Sequence, residues 1–316
     1  MRFNPKARLD PSQVTRRGGS GGSGMPGGRR RGGKVAGGGI GGLLLVLLFY
    51  IVTQVLGGSG GGGGGTSATG FPFDLNQVSG SDAGVDLSGQ CQTGEDANNN
   101  PDCAMVATVN TIQAFWEQAL PDQAGTSYEM TVTNLFTDQV QTGCGGATSQ
   151  VGPFYCPVDD SIYLDLTFFD VMLEGQLGAE GGPFAQAYVV AHEYGHHIQD
   201  LTGTMNQMQT RQGEQSDAVR LELQADCYAG MWTKYATTVE DADGNVFIEE
   251  LTDEDINNAI DAAETVGDDR IQSKTQGQVN PETWTHGSAE MRKRWFLVGM
   301  EEGSMEACDT FAVDRV

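Results

Sequence analysis

The stretch AHEYGHHIQD, residues 191–200, holds three of the four histidines in this chain of 316 residues. It contains the pattern H-E-x-x-H, with His192 and His196 four positions apart. On a helix, residues i and i+4 share a face, so the two imidazoles can reach one metal ion. Glu193 follows the first histidine, where its carboxylate can reach a water bound to that metal. The stretch therefore predicts a helix that carries two metal ligands and a general base.

A second helical stretch, RLELQADCYAG at residues 220–230, supplies acidic side chains at the same spacing. A catalytic zinc site with two histidines needs a third protein ligand and keeps one position for water. Glu222 is predicted to be that ligand. Asp226, on the same helix face, is predicted to accept the free ring N–H of a liganding histidine. The alternative for Glu222 is a solvated helix face, which is common in so acidic a chain.

Hydrolysis of an acyl group also requires a hydrogen-bond donor for the developing oxyanion. His286 is the one histidine outside the motif region, and we predict this catalytic role for it. Tyr194 and Tyr228 are further candidate donors, and a turn or capping role is the alternative for His286. His197 is left unassigned, because it is rotated by about 100° from His196 on a helix.

The charge of the chain is divided at an apolar run. Residues 1–56 hold nine Lys or Arg and one acid, so residues 57–316 hold the other nine and 41 acids, a net charge of −32. Residues 40–56 carry no charge and are long enough to span a bilayer. Basic residues precede this run, which predicts a single-pass helix with its N-terminus in the cytoplasm and residues 71–316 outside. A cleaved signal peptide is the alternative.

The segments that flank the apolar run are low in complexity. Residues 1–39 are rich in Gly, Ser and Arg and are predicted to form a disordered cytoplasmic tail. No aromatic residues are interleaved with the arginines for base stacking, so no nucleic-acid partner is expected. Residues 57–70 include GGSGGGGGG and are predicted to be a flexible linker.

The six cysteines all follow the apolar run, and an even number on the exported side predicts disulfides. Sequence alone does not choose among the possible pairings. Our hypothesis is two local bridges and one long-range bridge: Cys91–Cys103, Cys144–Cys156 and Cys227–Cys308. A zinc site made of cysteines is disfavoured, because the chain contains no C-x-x-C pair.

The remaining patterns predict an α+β domain over residues 71–316. Residues 128–136 and 161–169 are rich in β-branched and aromatic side chains and are predicted strands. Helices are predicted from start and stop signals. They cover residues 100–120, 182–203, 216–235, 252–267 and 288–298.

Three segments together resemble a known family: HEYGHHIQ, ELQADCYAGMW and HGSAEMRKRWFLVG. They are similar to the bacterial family described as "putative neutral zinc metallopeptidase", and the pair of helical motifs is similar to gluzincin peptidases generally. The resemblance implies zinc as the cofactor, His192, His196 and Glu222 as its ligands, and Glu193 as the general base. It also implies a zincin-like fold, in which the active-site helix lies beside a small antiparallel sheet and a substrate-aligning strand. Residues 161–169 are the candidate for that strand.

The sequence therefore predicts a membrane-anchored zinc peptidase that acts on a peptide or protein substrate. Two rival hypotheses remain open. One is a non-catalytic surface module in which zinc only stabilises the fold. The other is a zinc amidase that acts on the cell envelope by the same water chemistry. Neither the physiological substrate nor the oligomeric state follows from the sequence.

Overall fold

The computed structural model describes residues 1–17 and 86–316. The predicted membrane span at 40–56 and the predicted linker at 57–70 lie outside these ranges, as does the rest of the predicted tail, and they stay predictions. Within the described ranges, no helix is both long and apolar enough to cross a bilayer.

Short strands occur along the whole described chain. In chain order they are β1 (Arg2–Phe3), β2 (Val14–Arg16), β3 (Val132–Phe136), β4 (Gln139–Thr142), β5 (Gly145–Thr148), β6 (Phe154–Cys156), β7 (Ser161–Asp165) and β8 (Ile248–Glu250). Four of them form a sheet in the order β2-β3-β7-β6. β4 and β5 form a separate hairpin, and β1 pairs with β8.

The prediction of an antiparallel sheet is wrong for most of its strands. β2, β3 and β7 run parallel, and only β6 is antiparallel to its neighbour. The connectivity permits this arrangement, because the β4–β5 hairpin and β6 lie between β3 and β7 in the chain and provide the long connection that a parallel pair needs. The α+β class itself is confirmed, because this small sheet is accompanied by separate helices.

Five of the helices follow the start signals in the sequence, and two helices were missed. They are α1 (Gly94–Asn99), α2 (Pro101–Ala124), α3 (Pro183–Leu201), α4 (Asp217–Tyr235), α5 (Asp253–Thr265), α6 (Asp268–Gln276) and α7 (Ala289–Glu302). The side chains of Asn100, Ser216, Thr252 and Ser288 each accept a backbone N–H at the start of a helix, as capping residues do. The two missed helices, α1 and α6, have only 6 and 9 residues, and both are too polar to show an apolar stripe.

The two motif helices, α3 and α4, pack closely because a glycine lies at their contact. A Cβ atom added to Gly195 would lie 2.8 Å from the Cα of Ala225. Glycine is unfavourable in a helix interior by about 1 kcal/mol relative to alanine. The close approach explains its presence, and it brings the acidic face of α4 up to the histidines of α3.

The predicted disulfides are confirmed. Bridges join Cys91 to Cys103, Cys144 to Cys156, and Cys227 to Cys308. The last bridge starts on α4 and ties this helix to the C-terminal part of the chain.

The prediction of disorder is wrong for residues 1–17. These residues form β1 and β2 and contribute buried apolar side chains to the same core as α2 and α3. Composition averaged over residues 1–39 concealed this, because the glycine-rich part begins only at Gly18.

Candidate metal centre

The histidines and the predicted acidic ligand come together at the contact of α3 and α4. One ligand atom from each of His192, His196 and Glu222 lies within 4.8 Å of the other two. Nε2 of His192 lies 3.3 Å from Oε2 of Glu222, and Nε2 of His196 lies 3.5 Å from Oε1. Tetrahedral bonds of about 2.0–2.1 Å separate ligand atoms by roughly 3.3–3.4 Å. The donor set and its spacing therefore fit a zinc ion.

Hydrogen bonds at the other ring nitrogen leave both Nε2 atoms free to bind metal. Nδ1 of His192 donates to Oδ1 of Asp226 at 2.8 Å. Nδ1 of His196 donates to Oε1 of Gln199 at 2.9 Å. The amide of Gln199 cannot turn freely, because its Nε2 donates to the carbonyl of Leu221 at 2.7 Å. Such partners fix the tautomer and orientation of metal-binding imidazoles.

Asp226 is fully buried and also accepts from residues that the sequence analysis missed. Arg292 on α7 donates to both of its oxygens, from Nε at 2.8 Å and Nη2 at 2.9 Å, and the hydroxyl of Tyr188 donates at 2.5 Å. Arg292 lies in HGSAEMRKRWFLVG, the third of the segments that carry the family resemblance. The signal that could have identified Arg292 was its position as a cation in that segment of an otherwise acidic domain.

The charges of the centre favour a cation. Burial raises the pKa of Asp226, but Arg292 and His192 outweigh burial and lower it to about 2. Burial lowers the pKa of His192, but Asp226 and Glu222 outweigh it and raise this pKa to about 9. The ionised carboxylates thus favour positive charge at this centre, and a divalent metal ion would supply that charge in place of the proton on His192.

Glu193 lies beside the edge of the sheet. Its Oε2 accepts the backbone N–H of Tyr155, in β6, at 3.0 Å. In the described part of the chain, β6 pairs only with β7. Its other edge faces α3, because the N–H of Tyr155 on that edge donates to Glu193. β7 lies between β3 and β6, which occupy both of its edges. The prediction that residues 161–169 form the strand beside the helix of His192 and His196 is therefore wrong. That strand is β6.

The remaining histidines have distinct surroundings. Nδ1 of His286 lies 3.1 Å from Oδ1 of Asp268, and the other oxygen of Asp268 accepts the backbone N–H groups of Thr285 and His286 at 2.7 Å. His197 is buried, and its Nε2 donates to the carbonyl of Glu129 at 2.7 Å. His197 thus ties α3 to the chain entering β3 and does not face the metal centre.

A cleft of about 280 Å³ opens over these groups. Its wall includes His192, Glu193, His196, Glu222 and His286. The rest of the wall is mainly apolar and includes Phe168, Leu177, Val189, Met205, Leu221 and Ile271. Tyr194 and Tyr228, the other predicted oxyanion donors, are buried away from this wall. Of the three candidate donors, only His286 reaches the cleft.

Comparison with known proteins agrees with this centre. The family model described as "Putative neutral zinc metallopeptidase" matches residues 1–311. The chain belongs to this family. It is 53% identical over 231 residues to the uncharacterized protein Rv2575 of Mycobacterium tuberculosis, an alignment that covers 72% of this chain and 76% of the relative. It is 36% identical over 244 residues to the uncharacterized protein YpfJ of Escherichia coli, covering 74% and 80%. No solved structure matches the chain.

Proposed function

We propose that this protein is a zinc-dependent peptidase, with His192, His196 and Glu222 as the metal ligands. The observation that carries the proposal is the convergence of both imidazole Nε2 atoms on the carboxylate of Glu222, with Glu193 beside them in one cleft. The family implies zinc as the cofactor. Zinc bound by such a ligand set lowers the pKa of a bound water to about 7 and polarises a carbonyl.

Proton transfer during hydrolysis would be carried out by a side chain of this protein. Glu193 accepts a proton from the attacking water and delivers it to the leaving nitrogen. The hydrogen bond from the N–H of Tyr155 holds one oxygen of Glu193 and leaves the other available for this transfer. An extended substrate can lie along the outer edge of β6 and pair with the backbone groups there other than the N–H of Tyr155, which Glu193 already accepts.

The non-catalytic alternative requires a closed site with four protein ligands. In the described ranges, the group of ligand atoms contains three residues and His286 is not among them. This feature supports an open, catalytic site over a purely structural one. An amidase would use the same groups, so the nature of the substrate decides between the remaining alternatives.

Metal removal tests the proposed function. We expect the purified protein to digest an unfolded protein such as casein, to lose this activity on chelation, and to regain it when zinc is added. Loss follows because no other described group in the cleft can replace the metal-bound water. Glu193→Gln protein prepared in parallel controls for contaminating proteases. Activity that survives chelation would contradict the proposal, and cleavage confined to peptidoglycan fragments would favour the amidase.

His286 is proposed to stabilise the oxyanion. Asp268 orients its ring through Nδ1, and His286 lines the cleft. Nε2 can donate in the imidazolium form. Burial lowers the pKa of His286, but Asp268 and Glu222 outweigh burial and raise it, which favours that form. Loss of one such donor typically lowers kcat by about 10²–10³-fold. We therefore expect His286→Gln to lower kcat by this amount, with unchanged zinc content and little change in KM.

Zinc analysis and steady-state kinetics measure these effects, with exposed Glu290→Gln as the control. An unchanged kcat would remove His286 from catalysis. Loss of zinc from His286→Gln would identify it as a fourth ligand and revive the structural alternative.

A further inference from the structure

Residues 1–17, here called the N-terminal segment, are seated in the domain as part of its core. Phe3, Ala7, Leu9 and Val14 are all 5% exposed or less. β1 pairs with β8, and β2 adds a parallel strand to the edge of β3. Burial of apolar side chains together with strand pairing at both ends is typical of an integral element and not of a tail.

Polar groups of the domain are also paired with this segment. Asn110 is buried in α2, and it accepts the N–H of Asp10 at 2.7 Å and donates to its carbonyl at 3.0 Å. Buried Gln113 donates to the side chain of Gln13 at 3.0 Å. Buried amides need such partners, because an unpaired buried polar group is unfavourable.

The N-terminal segment packs so closely against α1 that only glycine fits at position 94. A Cβ atom added to Gly94, the first residue of α1, would lie 1.9 Å from the backbone oxygen of Asn4. The N–H of Gly94 donates to the carbonyl of Ala7 at 2.8 Å. Residue 94 therefore has no room for a side chain while the segment is bound. The family model also covers the segment, since its match begins at residue 1.

We infer that the N-terminal segment and residues 86–316 lie on the same side of the membrane. A chain that crosses a bilayer once between residues 17 and 86 would separate these parts, and their contacts could not form. The inference replaces the expected topology, with its cytoplasmic tail and external domain. It does not depend on the proposed peptidase activity.

The position of β2 gives the segment a further role at the sheet. The sheet order β2-β3-β7-β6 makes β2 cover the edge of β3. Uncovered edges pair readily with other extended chains. With β3 covered, the edge available in the described sheet next to Glu193 is the outer edge of β6. The segment would thus limit strand addition at β3 and leave β6 open to an extended chain.

A cysteine pair tests the inference in the full-length chain. Arg2 and Glu250 are exposed partners in the β1–β8 pairing, so Arg2→Cys with Glu250→Cys should form a new disulfide. Lys6→Cys with Glu250→Cys is the control, because Lys6 is exposed and does not pair with β8. Peptide mapping of non-reduced protein from export-competent cells measures both links. We expect a link in most chains of the first variant and several-fold fewer in the control.

Glycine variants in the same background show whether the link depends on the seated segment. Gly94→Ala should lower the yield of the 2–250 link, because its Cβ would displace Asn4. Gly89→Ala is the matched control, since a Cβ there meets nothing within 4 Å. Unlinked, free thiols at positions 2 and 250 in folded protein with the three native disulfides would overturn the inference. So would a residue-2 thiol that reacts only with reagents that enter the cytoplasm, in protein whose three native disulfides are formed.

Discussion

Glutamine in place of Glu193 is expected to lower peptidase turnover by about 10²–10⁴-fold, the usual contribution of a general base. Zinc content and thermal stability should stay close to those of the unmodified protein. The substitution is nearly isosteric and leaves both histidines and Glu222 unchanged. The amide oxygen of glutamine can still accept the N–H of Tyr155, which Glu193 accepts at 3.0 Å. Only the ability to take a proton from water is removed.

The measurement is the rate of peptide cleavage at saturating substrate, alongside zinc content and an unfolding midpoint. Exposed Glu117 on α2 provides a matched control, because Glu117→Gln changes the same chemical group far from the cleft. A Glu193→Gln protein that cleaves at the unmodified rate, with contaminants excluded, would rule out this residue as the base. A structural zinc module predicts no turnover in either protein.

The candidate metal centre could be anticipated because its geometry is mostly local. Four-residue spacing on a helix fixes which side chains share a face, so His192 and His196 on α3, like Glu222 and Asp226 on α4, follow from the sequence. The packing of α3 against α4, by contrast, does not follow from the spacing of residues within either helix. Gly195 hinted at it, and its contact with Ala225 gives the physical reason.

The parts that could not be anticipated depend on pairing between distant segments. β6 contains only three residues, too few to show an alternating pattern, and its position at the sheet edge is set by its pairing with β7. β2 is equally short, and it pairs with a strand more than a hundred positions away. Arg292 has no motif of its own, and its importance comes from the buried carboxylate of Asp226 that it contacts.

The N-terminal segment shows how averaging over composition can mislead. Phe3, Leu9 and Val14 are spaced too irregularly to predict a helix or a long strand. The glycine-rich stretch that follows dominates the composition of residues 1–39. The matching surface for these three side chains is formed by α2, β3 and β8, which lie far along the chain. Such complementarity is visible only in the folded structure.

Loss of the Glu222 carboxylate should have the largest effect on metal binding. We expect the unmodified protein to retain about one zinc per chain and Glu222→Gln to lose it during dialysis against a weak chelator. Both Nε2 atoms of the histidine pair lie 3.3–3.5 Å from this carboxylate, which supplies the negative charge among the three ligands. Its removal should weaken zinc binding by more than the roughly 10–100-fold typical of a residue that only orients a ligand.

Competition with a chelator of known affinity measures this loss, and Asp226→Asn provides the graded comparison. Asp226 orients His192 but does not belong to the group of ligand atoms, so its replacement should weaken zinc binding less than Glu222→Gln does. Asp226→Asn should instead lower the unfolding midpoint more, because it leaves the buried guanidinium of Arg292 without its charged partner. Glu290→Gln should change neither quantity, since Glu290 is exposed on α7.

Retention of zinc by Glu222→Gln at the unmodified affinity would show that the third ligand lies elsewhere. The opposite order of the two variants would exchange the roles assigned to Glu222 and Asp226.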